Sequence, residues 1–190
     1  MNDAALILMC GMSFSGKSTL AKALAHRVNA SIVSLDDINT ERGLRGGLGM
    51  TGEQWADTHR IAQERVARHL ETRQVTIVDD TGSPRFIRDT WREVADRADA
   101  PMRIIWVDVS EGLQSERLAA NRASVHRHDV VDEVMAEHRR TFEPPEDEGA
   151  VRIDAANVLS CHAIEEVVNE LGLAATPRAG ATSPRPGAER

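Results

Sequence analysis

Tyrosine is absent from the 190 residues, and only three tryptophans and three phenylalanines are present. So few aromatics disfavour a stacking platform for single-stranded nucleic acid. The two cysteines, Cys10 and Cys161, fit neither a C-x-x-C motif nor a metal-ligand spacing, and both read as packed, reduced thiols. No apolar run reaches the length of a membrane span, and the first residues lack the basic region of a secretion signal. The expectation is a cytoplasmic protein with no membrane contact. Positive charge is also short: the formal net charge is −7 and the pI near 5.5. Such a surface does not collect polyanions indiscriminately. The basic residues are nearly all arginine, and Lys17 and Lys22 are the only lysines.

What is present alternates. Short apolar runs at 4–10, 31–35, 75–78, 102–107 and, weakly, 151–153 read as strands buried on both faces. Segments with helical spacing lie at 17–28, 54–72, 84–98, 113–121, 130–142 and 162–171. This pattern predicts an α/β fold with a parallel sheet of about five strands between helical layers. Thr51 and Gln54 form a capping-box pattern, and Ser83-Pro84 reads as an N-cap followed by a first-turn proline. Residues 1–171 read as one domain. Residues 172–190, rich in Ala, Pro, Gly, Thr, Ser and Arg, read as a disordered tail.

One of the two lysines stands in the segment Gly11-Met12-Ser13-Phe14-Ser15-Gly16-Lys17-Ser18-Thr19. It matches G-x-x-x-x-G-K-[ST] and lies between a predicted strand and a predicted helix. Such a loop wraps main-chain N–H groups around phosphates, with the positive helix end beneath them. Lys17 would neutralise β- and γ-oxygens, and the Ser18 hydroxyl would ligate Mg²⁺. Phe14, a large apolar side chain inside the loop, is equally consistent with covering the cleft, touching an acceptor or packing locally.

Missing motifs then sort the phosphate binders. There is no N-K-x-D for guanine, no L-S-G-G-Q segment of a transport ATPase, and no length for the helical lid domain of an AAA+ motor. A compact kinase remains. Carboxylates follow the predicted strands: Asp36 and Asp37, then Asp79 and Asp80, then Asp108. The carboxyl edge of an open parallel sheet is the ligand crevice. A kinase acting on a hydroxyl needs a proton acceptor and a metal ligand there.

The chain resembles the small P-loop phosphotransferases, a group that includes polynucleotide 5′-hydroxyl kinases, chloramphenicol phosphotransferase, the zeta toxins and seryl-tRNA kinase. The resemblance spans roughly 4–155 and rests on "GMSFSGKST", "SLDD", "VDDTGSPRFIR" and "ERLAANRASVHR". It implies a kinase-type P-loop domain with an arginine-bearing lid at about 117–142. It makes Asp36 the general base, and assigns Asp80 to metal or acceptor, with Arg88 facing the acceptor. It also implies lid arginines on the phosphates: Arg122 and Arg117 first, then Arg127. Two positions depart from the polynucleotide kinases. Asn39 stands where they carry arginine, and Gly82 where they carry asparagine. Both departures speak against a nucleic-acid acceptor. Arg42 and Trp55 are candidate acceptor contacts. The expected activity is transfer of the ATP γ-phosphate, with Mg²⁺, to a hydroxyl of a small molecule such as a sugar, nucleoside or antibiotic-like natural product. The alternatives are a polynucleotide or tRNA kinase and a non-catalytic nucleotide-gated or toxin-like module.

Overall fold

The computed structural model describes residues 4–44, 49–124 and 130–173. Arg127 and nearly all of the expected disordered tail lie outside the described residues. Five strands, β1 (Ala5–Cys10), β2 (Ser31–Ser34), β3 (Val75–Asp79), β4 (Met102–Asp108) and β5 (Val151–Asp154), form a parallel sheet ordered β2-β3-β1-β4-β5. Helices α1 (Lys17–Val28), α2 (Leu35–Glu41), α3 (Gly52–Glu71), α4 (Arg85–Arg97), α5 (Glu111–Ser124), α6 (Asp132–Thr141) and α7 (Cys161–Glu170) connect or flank them.

Every residue of β1 is buried, which requires cover on both faces of the sheet. Alternation along the strand supplies it. Ala5, Ile7 and Met9 pack with Leu20 and Leu24 of α1 and Val167 of α7. Leu6 and Leu8 pack on the opposite face with Val66 and Leu70 of α3 and Trp91 of α4. Burying each such side chain contributes about 1.5–3 kcal/mol.

The sequence reading missed α2. Its hydrophobic signal is too short, but Ser34 caps it by accepting from the Asp37 amide at 3.3 Å. Asp36 and Asp37 therefore occupy the first turn, where acidic residues meet the positive helix end. The capping box at Thr51 forms as expected. Ser83 is not the cap of α4. Glu143, distant in sequence, accepts from the Arg85 amide at 2.6 Å, while Ser83 Oγ accepts from the Glu143 amide at 2.9 Å. Cys10 is packed, and burial pushes its thiol up to about 11. Cys161 is exposed on the first turn of α7, so the reading of both thiols as packed is corrected for it. Among the described residues no helix is long and apolar enough to cross a membrane.

Candidate active site

The strand register decides which side chains meet. Ser34 of β2 lies opposite Asp79 of β3, so the segments leaving these strands carry Asp36 beside Asp79 and Asp80. β3 also pairs with β1, whose carboxyl end opens into the glycine-rich loop. Lys17, Ser18, Asp36, Asp79 and Asp80 all line one cavity of about 660 Å³.

The loop is built to expose its amides. Gly11 has φ +143°, and a Cβ there would stand 2.5 Å from the Val107 carbonyl oxygen. Gly16 (φ +99°) precedes α1 without any side-chain cap, and the first turn of α1 holds no acidic residue. An uncapped helix start with main-chain donors is a fit for phosphate oxygens. Lys17 Nζ donates to the Met12 carbonyl at 3.0 Å, which holds the ammonium over the loop.

Beside Lys17, the Ser18 hydroxyl lies near Asp79 and favours its ionised form. Burial raises the Asp79 carboxyl above the ordinary carboxylate range, against the opposing pull of Lys17 and Ser18. Asp80 is held differently: Oδ1 accepts from the Thr81 amide at 2.6 Å, and Oδ2 is buried without a partner. The Ser18–Asp79 pair fits Mg²⁺, which takes one or two carboxylates and completes its shell with waters and phosphate oxygens. Among the described residues there is no group of three or more His, Cys, Asp or Glu arranged to hold a metal by itself.

Helices α5 and α6 are docked on the loop. Phe14 (φ +64°) packs with Leu118 of α5 and Met135 of α6, as local packing would require. Gln114 Nε2 donates to the Ser13 carbonyl at 2.8 Å. Arg117 does not reach the cavity. Its guanidinium donates to the carbonyls of Phe14, Ser15 and Ala155 at 3.1, 2.6 and 2.8 Å, so it braces the loop from outside. Arg122 bonds to the Val130 carbonyl and to Asp132, tying α5 to α6 rather than pointing at a phosphate site. In this structure neither guanidinium lies on the cavity, because each is bonded to main-chain carbonyls or to Asp132.

Two acceptor candidates are also corrected. Arg88 is buried, paired with Glu148, and bonded to the carbonyls of Gly82 and Glu143. Arg42 bonds to the Gln54 carbonyl, Thr58 and Asp57 at the start of α3. Neither lines the cavity, whereas Trp55 does. Asn39 is buried and accepts from Thr58 Oγ1 at 2.6 Å, so it faces α3. Gly82 has φ +60°, and a Cβ there would press on the Met9 carbonyl at 3.0 Å, which explains glycine at that position. Asp108 pairs with Arg152 and lines a second hollow of about 410 Å³, away from Lys17.

Sequence reasoning missed His59 and His138, which line the main cavity from α3 and α6. Burial and the nearby Lys17 ammonium lower the His138 imidazole below its ordinary range. His59 lies between Trp55 and Trp91, with ring centroids 6.4 and 6.2 Å away. No local motif marks either histidine. Asp79 carried a signal, as the last residue of a buried strand beside the loop strand.

Comparison with known proteins agrees with this geometry. Residues 6–145 match the family model described as AAA domain. A sugar kinase from Janibacter sp. HTCC2649 superposes with a TM-score of 0.70 at 19% identity, covering 90% of this chain and 96% of that one. APS kinase CysC from Mycobacterium tuberculosis, in complex with AMPPNP and APS, gives 0.66 at 17% identity, covering 90% and 99%. Kti12 from Chaetomium thermophilum, in complex with ADP-AlF3, gives 0.70 at 16% identity, covering 88% and 97%. No curated protein sequence matches the chain.

Proposed function

Since the chain belongs to the AAA domain family, here a P-loop kinase domain, we propose that it moves the γ-phosphate of ATP to a hydroxyl of a small molecule. The observation that carries this reading is the convergence of Lys17, Ser18, Asp36 and Asp79 on a single cavity. The loop amides from Gly11 to Thr19 and the start of α1 bind the phosphates, and Lys17 takes up their charge. Ser18 and Asp79 hold Mg²⁺, which when bound offsets charge on the β- and γ-phosphoryl oxygens. Asp79 is favoured over its neighbour Asp80 as the metal carboxylate, because Asp79 is the one influenced by the Ser18 hydroxyl. Asp36 accepts the proton of the attacking hydroxyl. Arg117 acts at one remove, as a positioning residue that fixes the shape of the loop. The α6 side chains Val134 and His138 shield the cavity from water. Residues 1–171 act as the kinase domain, with the segment 117–142 as its lid.

The test is a screen of alcohols with γ-labelled ATP and the full chain. Label is expected to pass to a small alcohol only when magnesium is present. Absence of transfer together with absence of magnesium-assisted ATP affinity sinks the reading.

Asp79→Asn tests the metal assignment. The magnesium concentration giving half-maximal nucleotide binding is expected to rise about tenfold or more. Nucleotide affinity without magnesium should hold. A magnesium titration that superimposes on wild type returns the metal to Asp80.

A further inference from the structure

We propose, on the kinase reading above, that the acceptor hydroxyl is carried on an apolar, ring-sized skeleton that is uncharged or cationic. Phosphorylated acceptors are disfavoured by the same site. Beyond Lys17 and Ser18 the cavity continues between α3, the segment after β3, and α6. Its wall there carries Leu35, Trp55, Phe86, Ile87, Val134 and Phe142, with Gln63, Ser83, Thr90 and Thr141 between them. Phe86 is 62% exposed, one of two large apolar side chains so exposed among the described residues, and it stands on this wall. A volume of about 660 Å³ holds a nucleotide's terminal phosphates and a small molecule together.

The charges point the same way. Three carboxylates, Asp36, Asp79 and Asp80, line the cavity. Lys17 belongs to the phosphate donor. Arg60, the other fully charged cation on the lining, is exposed and bonded to Glu64 and Asp57. Arg42 and Arg88 are turned elsewhere. Among the described residues an anionic acceptor would therefore meet carboxylates and, of the guanidinium groups, only the already paired Arg60. The buried, unpartnered Asp80 Oδ2 leaves room for one further donor on the acceptor, a second hydroxyl or an ammonium.

The experiment uses the full chain with magnesium and AMPPNP and follows tryptophan fluorescence, since Trp55 lines the wall. The probes are 3-phenylpropan-1-ol, glucose, gluconate and a 5′-hydroxyl oligothymidylate. The phenylpropanol is expected to bind at least tenfold more tightly than any other probe. Phe86→Asp, at an exposed position that tolerates charge, should weaken it tenfold or more without altering AMPPNP affinity, and Phe86→Ser should do the same. Tighter binding of glucose, gluconate or the oligonucleotide overturns the proposal, as does unchanged phenylpropanol affinity in both variants or no phenylpropanol binding. A parallel assay with γ-labelled ATP separates the two readings. Phenylpropanol bound with no label passed to any alcohol overturns the kinase reading and leaves the pocket chemistry standing. Label passed preferentially to gluconate or the oligonucleotide does the reverse.

Discussion

Asp36→Asn is expected to lower kcat for phosphoryl transfer by about 10²- to 10⁴-fold, the usual contribution of a positioned proton acceptor. The amide keeps the shape of the carboxylate and removes its basicity. The helix start is kept, because the cap of α2 is the Ser34 hydroxyl. The loop amides, Lys17 and Ser18 remain in place to hold the phosphates, so AMPPNP affinity should remain within about threefold of wild type. Single-turnover transfer and calorimetric nucleotide binding read the two quantities separately. A variant that transfers phosphate at the wild-type rate removes Asp36 from the chemistry. A variant that keeps biological activity without transfer supports a nucleotide-gated module instead.

Arg88→Ala should destabilise the fold by about 3–5 kcal/mol, the cost of leaving a buried ion pair half broken. Arg88 and Glu148 have side chains 1% and 4% exposed, and Arg92 bonds to the same carboxylate. The network ties α4 to the strap that follows α6, and the same strap supplies the Glu143 cap of α4. Burial opposes ionisation of Glu148, but the bonds from Arg88 and Arg92 outweigh it and hold the carboxyl down at about 2, against an ordinary 4.5. A depressed carboxyl adds stability that is fully present above 4.5 and is lost as pH falls from there toward 2. Urea midpoints measured across that window should fall steeply for wild type and much less for Glu148→Gln. An Arg88→Ala midpoint equal to wild type at neutral pH contradicts the role given to the pair.

This pair also shows where the sequence was silent. The acidic run 143–148 reads locally as a solvated loop, yet it contains a buried carboxylate and a helix cap. Arg88 and Glu148 are far apart in the chain, and no spacing rule connects them. The same holds for His59 and His138, which share a cavity only because α3 and α6 border it. Arg117 and Arg122 looked like phosphate ligands because an arginine's partner cannot be read from its position. Folding offered them carbonyls and Asp132 at closer range.

The chain by itself determined the strand and helix order, the parallel sheet, and the nucleotide loop with Lys17 at its end. Each is a short-range property: unbroken apolar runs need cover on both faces, and the glycine–lysine–serine spacing acts over one turn of backbone. Only the tertiary structure decided which carboxylate sits beside Ser18, which arginines are consumed in bracing, and which distant side chains line the cavity. Those choices depend on strand register and on competition among partners brought together from distant segments, and neither quantity is encoded in any single stretch of residues.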